Sequence, residues 1–291
     1  MTRRRGLWYG LAAVVVMVVV PFSASGVVAW LVQQQAVGTH GYAHARISDV
    51  EVVAPSATVR IHAVPAGQEA VTSTLQWVSS RPDVYQQFNP RTGTLSLSYR
   101  CNGLKFLSGV GCNVALDIAA PAQASVHVIS DSGATTVTGM AGPVSVSTTS
   151  GSITLQGVSG PVTAKADSGY IEGDNLLART VAATAFSGSI DLDFAAPPDS
   201  VTAGVDSGAV DVELPRGTQY RVQASSNDGG GVNVDPGLAS ASAKGTITAT
   251  ATSGAVDIGY RHQGSDQPSS QLTPTGAATA AAPPSGQSRA G

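Results

Sequence analysis

Charge and aromatic side chains are both scarce in this 291-residue chain: 12% of residues are charged and 5% are aromatic, against 42% hydrophobic. Such a chain does not build the bulky core of a typical globular enzyme. With 33 glycines and an abundance of Ala, Val, Ser and Thr, it favours thin, strand-rich packing of small residues. The formal charge is -3, and no Lys/Arg-rich run follows the first five residues, so nucleic-acid binding lacks its electrostatic basis. Gly-x-Ser-x-Gly, a phosphate-binding loop and His-Glu-x-x-His are all missing. Nucleophilic, phosphoryl-transfer and metalloprotease chemistry therefore lack their minimum parts, and neither an enzyme nor a cofactor is expected.

Cysteine is nearly absent too. Cys101 and Cys112 bracket the Gly-rich segment CNGLKFLSGVGC between two strand-like runs, and a disulfide is expected. The alternative, a redox or metal pair, lacks both Cys-x-x-Cys spacing and a nearby His. His40 and His44 lie four apart without a helix or a third ligand, and His62, His127 and His262 are isolated, so no metal site is expected.

What is present begins at the N-terminus. Arg3, Arg4 and Arg5 precede a run from Leu7 to Val32 without a charge, long enough to span a bilayer, with Trp8, Tyr9 and Trp30 near its ends. The arrangement predicts a transmembrane helix over 7–32 acting as a signal anchor, held in the lipid bilayer with a basic tip (1–6) in the cytoplasm. A cleaved signal peptide is the rival reading, with Leu7 to Val20 as its apolar region and Ser23-Ala24-Ser25 as its cleavage site. The apolar run continues through Val27 to Val32, which favours the anchor; either reading exports the body of the chain. Residues 33–46 then form a juxtamembrane spacer, and an oxidising extracytoplasmic compartment suits the disulfide.

The body repeats itself. Ser-Gly recurs at Ser132-Gly133, Ser150-Gly151, Ser168-Gly169, Ser187-Gly188, Ser207-Gly208 and Ser253-Gly254, with a degenerate Asn227-Asp228-Gly229 between the last two. Each corner is followed by a short alternating run, such as Ile153/Leu155 or Val210/Val212/Leu214. A second turn and a second alternating run complete the unit, as at Gly142-Pro143 followed by Val144/Val146. Period two means one buried face and one wet face, so each unit reads as strand, turn, strand, turn.

Two-residue Asn-Gly hairpin loops are mostly missing, and one unit cannot bury its own apolar face. The expected fold is therefore all-β: a single-stranded β-solenoid of about 18–21-residue coils whose identical corners stack. The alternative is a β-sandwich of hairpins, because 8 to 12 residues between turns also suits that class. Ile47 to Ala120 has the same texture without the Ser-Gly register and is expected to form irregular first coils, giving a domain over 47–260. Between Asn227 and Ala251 a unit stretches to 25 residues, which disturbs the expected stacking. Residues 261–291 have the composition of a disordered tail.

A basic tip with one span, a Cys pair, VALDIAAPAQASVHVISDSG and recurring SG-x-[IV]-x-[LV] units together resemble the bacterial adhesin-like β-solenoid family, a domain of unknown function. The resemblance covers Ile47 to Tyr260 and implies a solenoid fold, with no catalytic residues to carry over. The chain's Ala- and Val-rich composition is similar to actinobacterial members of that family.

Asp131, Asp167 and Asp206 precede alternate Ser-Gly pairs and are expected in one column, about 10 Å apart, too far to share a metal. A glycosidase pair fits that spacing, but solvated turn caps are the simpler reading. Asp191, Asp193, Asp211 and Glu213 fall on the polar face of their strands and make the surface acidic. Phe186, Phe194, Tyr170 and Tyr220 are scattered along the chain and suggest no aromatic groove. The expected function is a membrane-anchored binding module that presents flat β-faces to an envelope polymer or a membrane protein. The alternatives are a self-assembling or regulatory accessory and, last, a polysaccharide-active enzyme.

Overall fold

The computed structural model describes residues 34–43, 45–78, 80–101 and 112–261. The expected tip and span (1–32) and the tail beyond Arg261 lie outside the described residues, as do His44 and His262. Everything regular among the described residues is strand. The strands are β1 (Gln34–Gly41), β2 (Asp49–Val64), β3 (Ala70–Trp77), β4 (Asp83–Asn89), β5 (Thr94–Arg100), β6 (Cys112–Pro121) and β7 (Ser125–Thr138). They continue with β8 (Val144–Gln156), β9 (Val162–Leu176), β10 (Thr180–Phe194), β11 (Ser200–Leu214), β12 (Arg221–Ser226), β13 (Val232–Val234) and β14 (Thr246–Tyr260).

The long strands carry the repeat. In β8, Val144, Val146 and Thr148 are buried, then the parity changes and Ile153 and Leu155 are buried. The change falls at Ser150-Gly151, so the strand bends there and both of its arms face one core. β9, β10, β11 and β14 switch parity at their own Ser-Gly pairs. Each coil is thus a first arm, a Ser-Gly corner, a second arm and a return turn. The coils stack in parallel register: Ser132, Ser150, Ser168, Ser187, Ser207 and Ser253 pair in succession, as do the glycines beside them. Residue-for-residue parallel pairing selects the solenoid over the sandwich, whose sheets are antiparallel.

Stacking at about 4.8 Å per strand explains the glycines. Gly133, Gly169, Gly188, Gly208 and Gly254 have φ between 117° and 153°, a region that L side chains rarely enter. A Cβ at any of them would overlap the carbonyl oxygen of its neighbour in the adjacent coil. The return turns carry a second close approach that sequence reading passed over. There Gly160 lies against the carbonyl of Gly142, and Gly142 against that of Ala124.

Coil order departs from chain order at both ends. The first arm of β2 pairs with β5 and its second arm with β6, so β5 and β6 together form the coil beneath β2. β7 stacks on the other side of β2. Antiparallel strands close this end: β4 lies on β5, β3 on β6 and β1 on β3. Residues 33–46, read as a spacer, thus contain the edge strand β1. At the far end β14 pairs directly with β11, while β12 and β13 lie outside it as the last, broken coil. The overlong unit is therefore an outer coil plus its return, and Gly230, one residue beyond the expected Gly229, meets the carbonyl of Gly254. Full-length β14 matches β11 along both arms, which short strands with a longer corner cannot do.

Candidate functional site

The expected disulfide forms between Cys101 and Cys112, with Cα atoms 6.2 Å apart. Cys101 follows β5 and Cys112 opens β6, so the bridge closes the corner of the first coil where every regular coil has Ser-Gly. Beside it, the Ser56 backbone N–H donates to the Tyr99 hydroxyl at 2.5 Å, tying the corner of β2 to that coil.

The Asp column exists. Asp131, Thr149, Asp167, Phe186, Asp206 and Thr252 each precede a stacked Ser, so they occupy successive coils at one edge of the first arms. Thr252 Oγ1 donates to Asp206 Oδ1 at 2.9 Å. Phe186 stands between Asp167 and Asp206 and is 66% exposed. The other aromatics noted in the sequence part company: Phe194 and Tyr220 are buried in the core. Tyr170 lies on the outer face of the second arms and donates to Asp191 Oδ2 at 3.2 Å.

That second-arm face is acidic. Glu172, Asp191, Asp211 and Asp257 pair in succession across β9, β10, β11 and β14, a carboxylate on each of four neighbouring strands. Burial, then Asp191 and Glu172, push the Tyr170 hydroxyl up to about 12. Burial also raises the Asp193 carboxyl, against the Arg261 guanidinium 3.0 Å away, which lowers it. Among the described residues, no group of three or more His, Cys, Asp or Glu side chains is disposed to hold a metal ion. His40 packs edge-on against Tyr42, and His62 Nδ1 lies 3.1 Å from Asp117 Oδ1.

The outer face of the first arms is different in kind. One row of outward side chains runs across it from Tyr85 through Ser98, Val53 and Ile129 to Ser147. The row continues through Lys165, Thr184 and Gly204 to Thr250. Tyr85, Val53 and Ile129 are 53%, 49% and 44% exposed, a run of unpacked apolar surface at one end. A depression of about 560 Å³ lies there, with Ser96 and Ser98 of β5 between Tyr85 and Gln87 on one side and Val53 and Glu51 on the other. A second, of about 410 Å³, lies at the other end beside Phe186, where Gly204 leaves the row without a side chain. Sequence reading missed this face because Tyr85 and Phe186 are about a hundred residues apart. The one local signal was a Phe in a column of Asp and Thr.

Three solved structures are similar at 10–13% identity. They are candidate adhesion proteins from Clostridium sporogenes (13% identity, TM-score 0.38, 79% of this chain and 100% of that one), Bacteroides fragilis (12%, 0.36, 78% and 97%) and Parabacteroides distasonis (10%, 0.40, 77% and 97%). Likeness at these scores carries no argument about function. No curated protein matches the chain. Residues 114–258, from the second arm of the first coil into β14, match the family described as Toastrack DUF4097, and this stretch of the solenoid belongs to that family.

Proposed function

We propose that the chain is a non-catalytic, adhesin-like binding module of the bacterial envelope, carried outside the cell by the apolar run over 7–32. Its contact face is the outer surface of the first arms, and its ligand is an extended polymer lying along the stacking direction. The observation that carries this reading is the single row from Tyr85 to Thr250, with a depression and an exposed aromatic at each end. An aligned row on stacked coils meets a linear polymer at regular intervals, as repeat proteins use their extended surfaces. Interior strands there have their backbone groups paired on both sides, so recognition falls to side chains.

The test is co-sedimentation of the full chain with envelope fragments, before and after protein is stripped from them. Retention on stripped fragments, lost when Tyr85 and Phe186 are both changed to Ala, is the expected result. Retention that disappears on stripping points to a protein partner instead.

A second reading, an accessory that assembles with itself, has one observation of its own. Edge strand β1 has no charged residue or proline among QQAVGTHG, and its Val37 is 62% exposed. Unblocked edges of this kind pair with other chains. A light-scattering mass that rises with concentration, and stops rising in Val37→Lys, would favour it.

A further inference from the structure

We infer that the depression beside Phe186 seats one pyranose ring of a neutral glycan, stacked on the Phe186 face; this rests on the polymer-binding reading above and names the polymer. Three independent features of the site converge on a sugar.

The first is shape. Along the row, Thr184 and Thr250 flank Gly204, so the two threonines stand two strand spacings apart, about 9.6 Å, over a floor of bare backbone. Gly204 is not at positive φ, and its backbone does not require glycine. What its missing side chain supplies is room, part of which the Thr250 hydroxyl enters: its Oγ1 lies 3.2 Å from where a β-carbon on residue 204 would stand. A depression of about 410 Å³ lies in the size range of small-ligand sites.

The second is the aromatic. In the column where neighbouring coils place Asp167 and Asp206, β10 places a Phe that is 66% exposed. A Phe left two-thirds exposed gains little for folding, and large apolar side chains left on the surface commonly mark contact sites. Its ring face suits the C–H face of a pyranose.

The third is the polar rim. Lys165 supplies an ammonium donor, Asp167 and Asp206 supply carboxylate acceptors, and Thr250 supplies a hydroxyl that both donates and accepts. Such a mixture matches the hydroxyls of a sugar. Two carboxylates to one ammonium make the rim net negative, which turns away uronates and phosphate-bearing polymers. A peptide strand is disfavoured, because β10 and β11 lie inside the sheet and offer no free backbone edge.

The experiment uses the full chain in detergent, titrated with chitopentaose and cellopentaose, and with a polygalacturonate oligomer as the anionic control. Phe186→Ala removes the platform, and Gly204→Val fills the space with a residue suited to strands. The expected result is millimolar or tighter binding of a neutral oligomer, weaker by about tenfold or more in each variant, with Gly204→Val melting no lower than the parent. Absence of binding by both neutral oligomers, equal binding by the variants, or preference for polygalacturonate would overturn the inference. Co-sedimentation separates the two levels. If the chain still sediments with stripped envelope but ignores both neutral oligomers, the sugar slot fails and the polymer-binding face stands; if it does not sediment, that reading itself fails.

Discussion

A β-carbon placed on Gly208 would overlap the carbonyl oxygen of Gly188, the residue paired with it in the preceding coil. The same overlap recurs from Gly133 to Gly254, so the corner column is a continuous close contact between backbones. Gly208→Ala is therefore expected to cost roughly 4 kcal/mol, near the upper end for single substitutions. Gly217 also has positive φ, +83°, but nothing within 4 Å of its added Cβ. Gly217→Ala should cost only about 1 kcal/mol, the conformational part alone. Urea denaturation of both variants decides the matter: equal, small losses would mean that the corners hold glycine for its φ and not for the space it leaves.

The disulfide acts at one coil. Its Cys residues are 11 apart in sequence, and removing the bridge by Cys101→Ser with Cys112→Ser should cost about 3 kcal/mol through the unfolded chain. Because each coil touches only its neighbours, hydrogen exchange should rise in β4, β5 and β6 while β9, β10 and β11 stay protected. Uniform loss of protection would show that the solenoid folds as one cooperative block.

Tyr170 makes stability depend on alkaline pH. Burial and the carboxylates of Asp191, Glu172 and Asp211 raise its hydroxyl to about 12, whereas in the unfolded chain it ionises near 10. Between those values the unfolded state has released the proton and the folded state still holds it, so this contribution to stability is intact below pH 10 and lost as pH rises towards 12. Asp191→Asn removes one of the charges, and ultraviolet titration of the folded protein should then show the latest-ionising tyrosine moving to lower pH. An unchanged titration would mean that Asp191 has no part in the shift.

Much of a coil was legible because its causes are local. Alternation in SITL or AVDV marks which side chains turn inward, and recurrent Ser-Gly marks where the strand bends; both are fixed by residues a few positions apart. The Cys pair was legible for the same reason. The candidate face was not, since Tyr85 and Phe186 share it only after β4 has paired backwards onto β5 and five further strands have stacked in register. Nor did Gly204 stand out, because it became a gap only when Thr184 and Thr250 were set on either side of it.

The sequence by itself determined the coil: its length, its corner, its inward and outward faces, and the staple at its irregular end. Tertiary structure decided which coil lies beside which. Parallel pairing rewards any two strands with matching inward residues and a matching corner, so sequence distance does not rank the partners. Register and completeness do. β14 matches β11 along both arms and takes the inner place, leaving the broken β12 and β13 outside. β5 and β6, halves of one coil joined through a disulfide, fit beneath β2, where antiparallel strands close the stack.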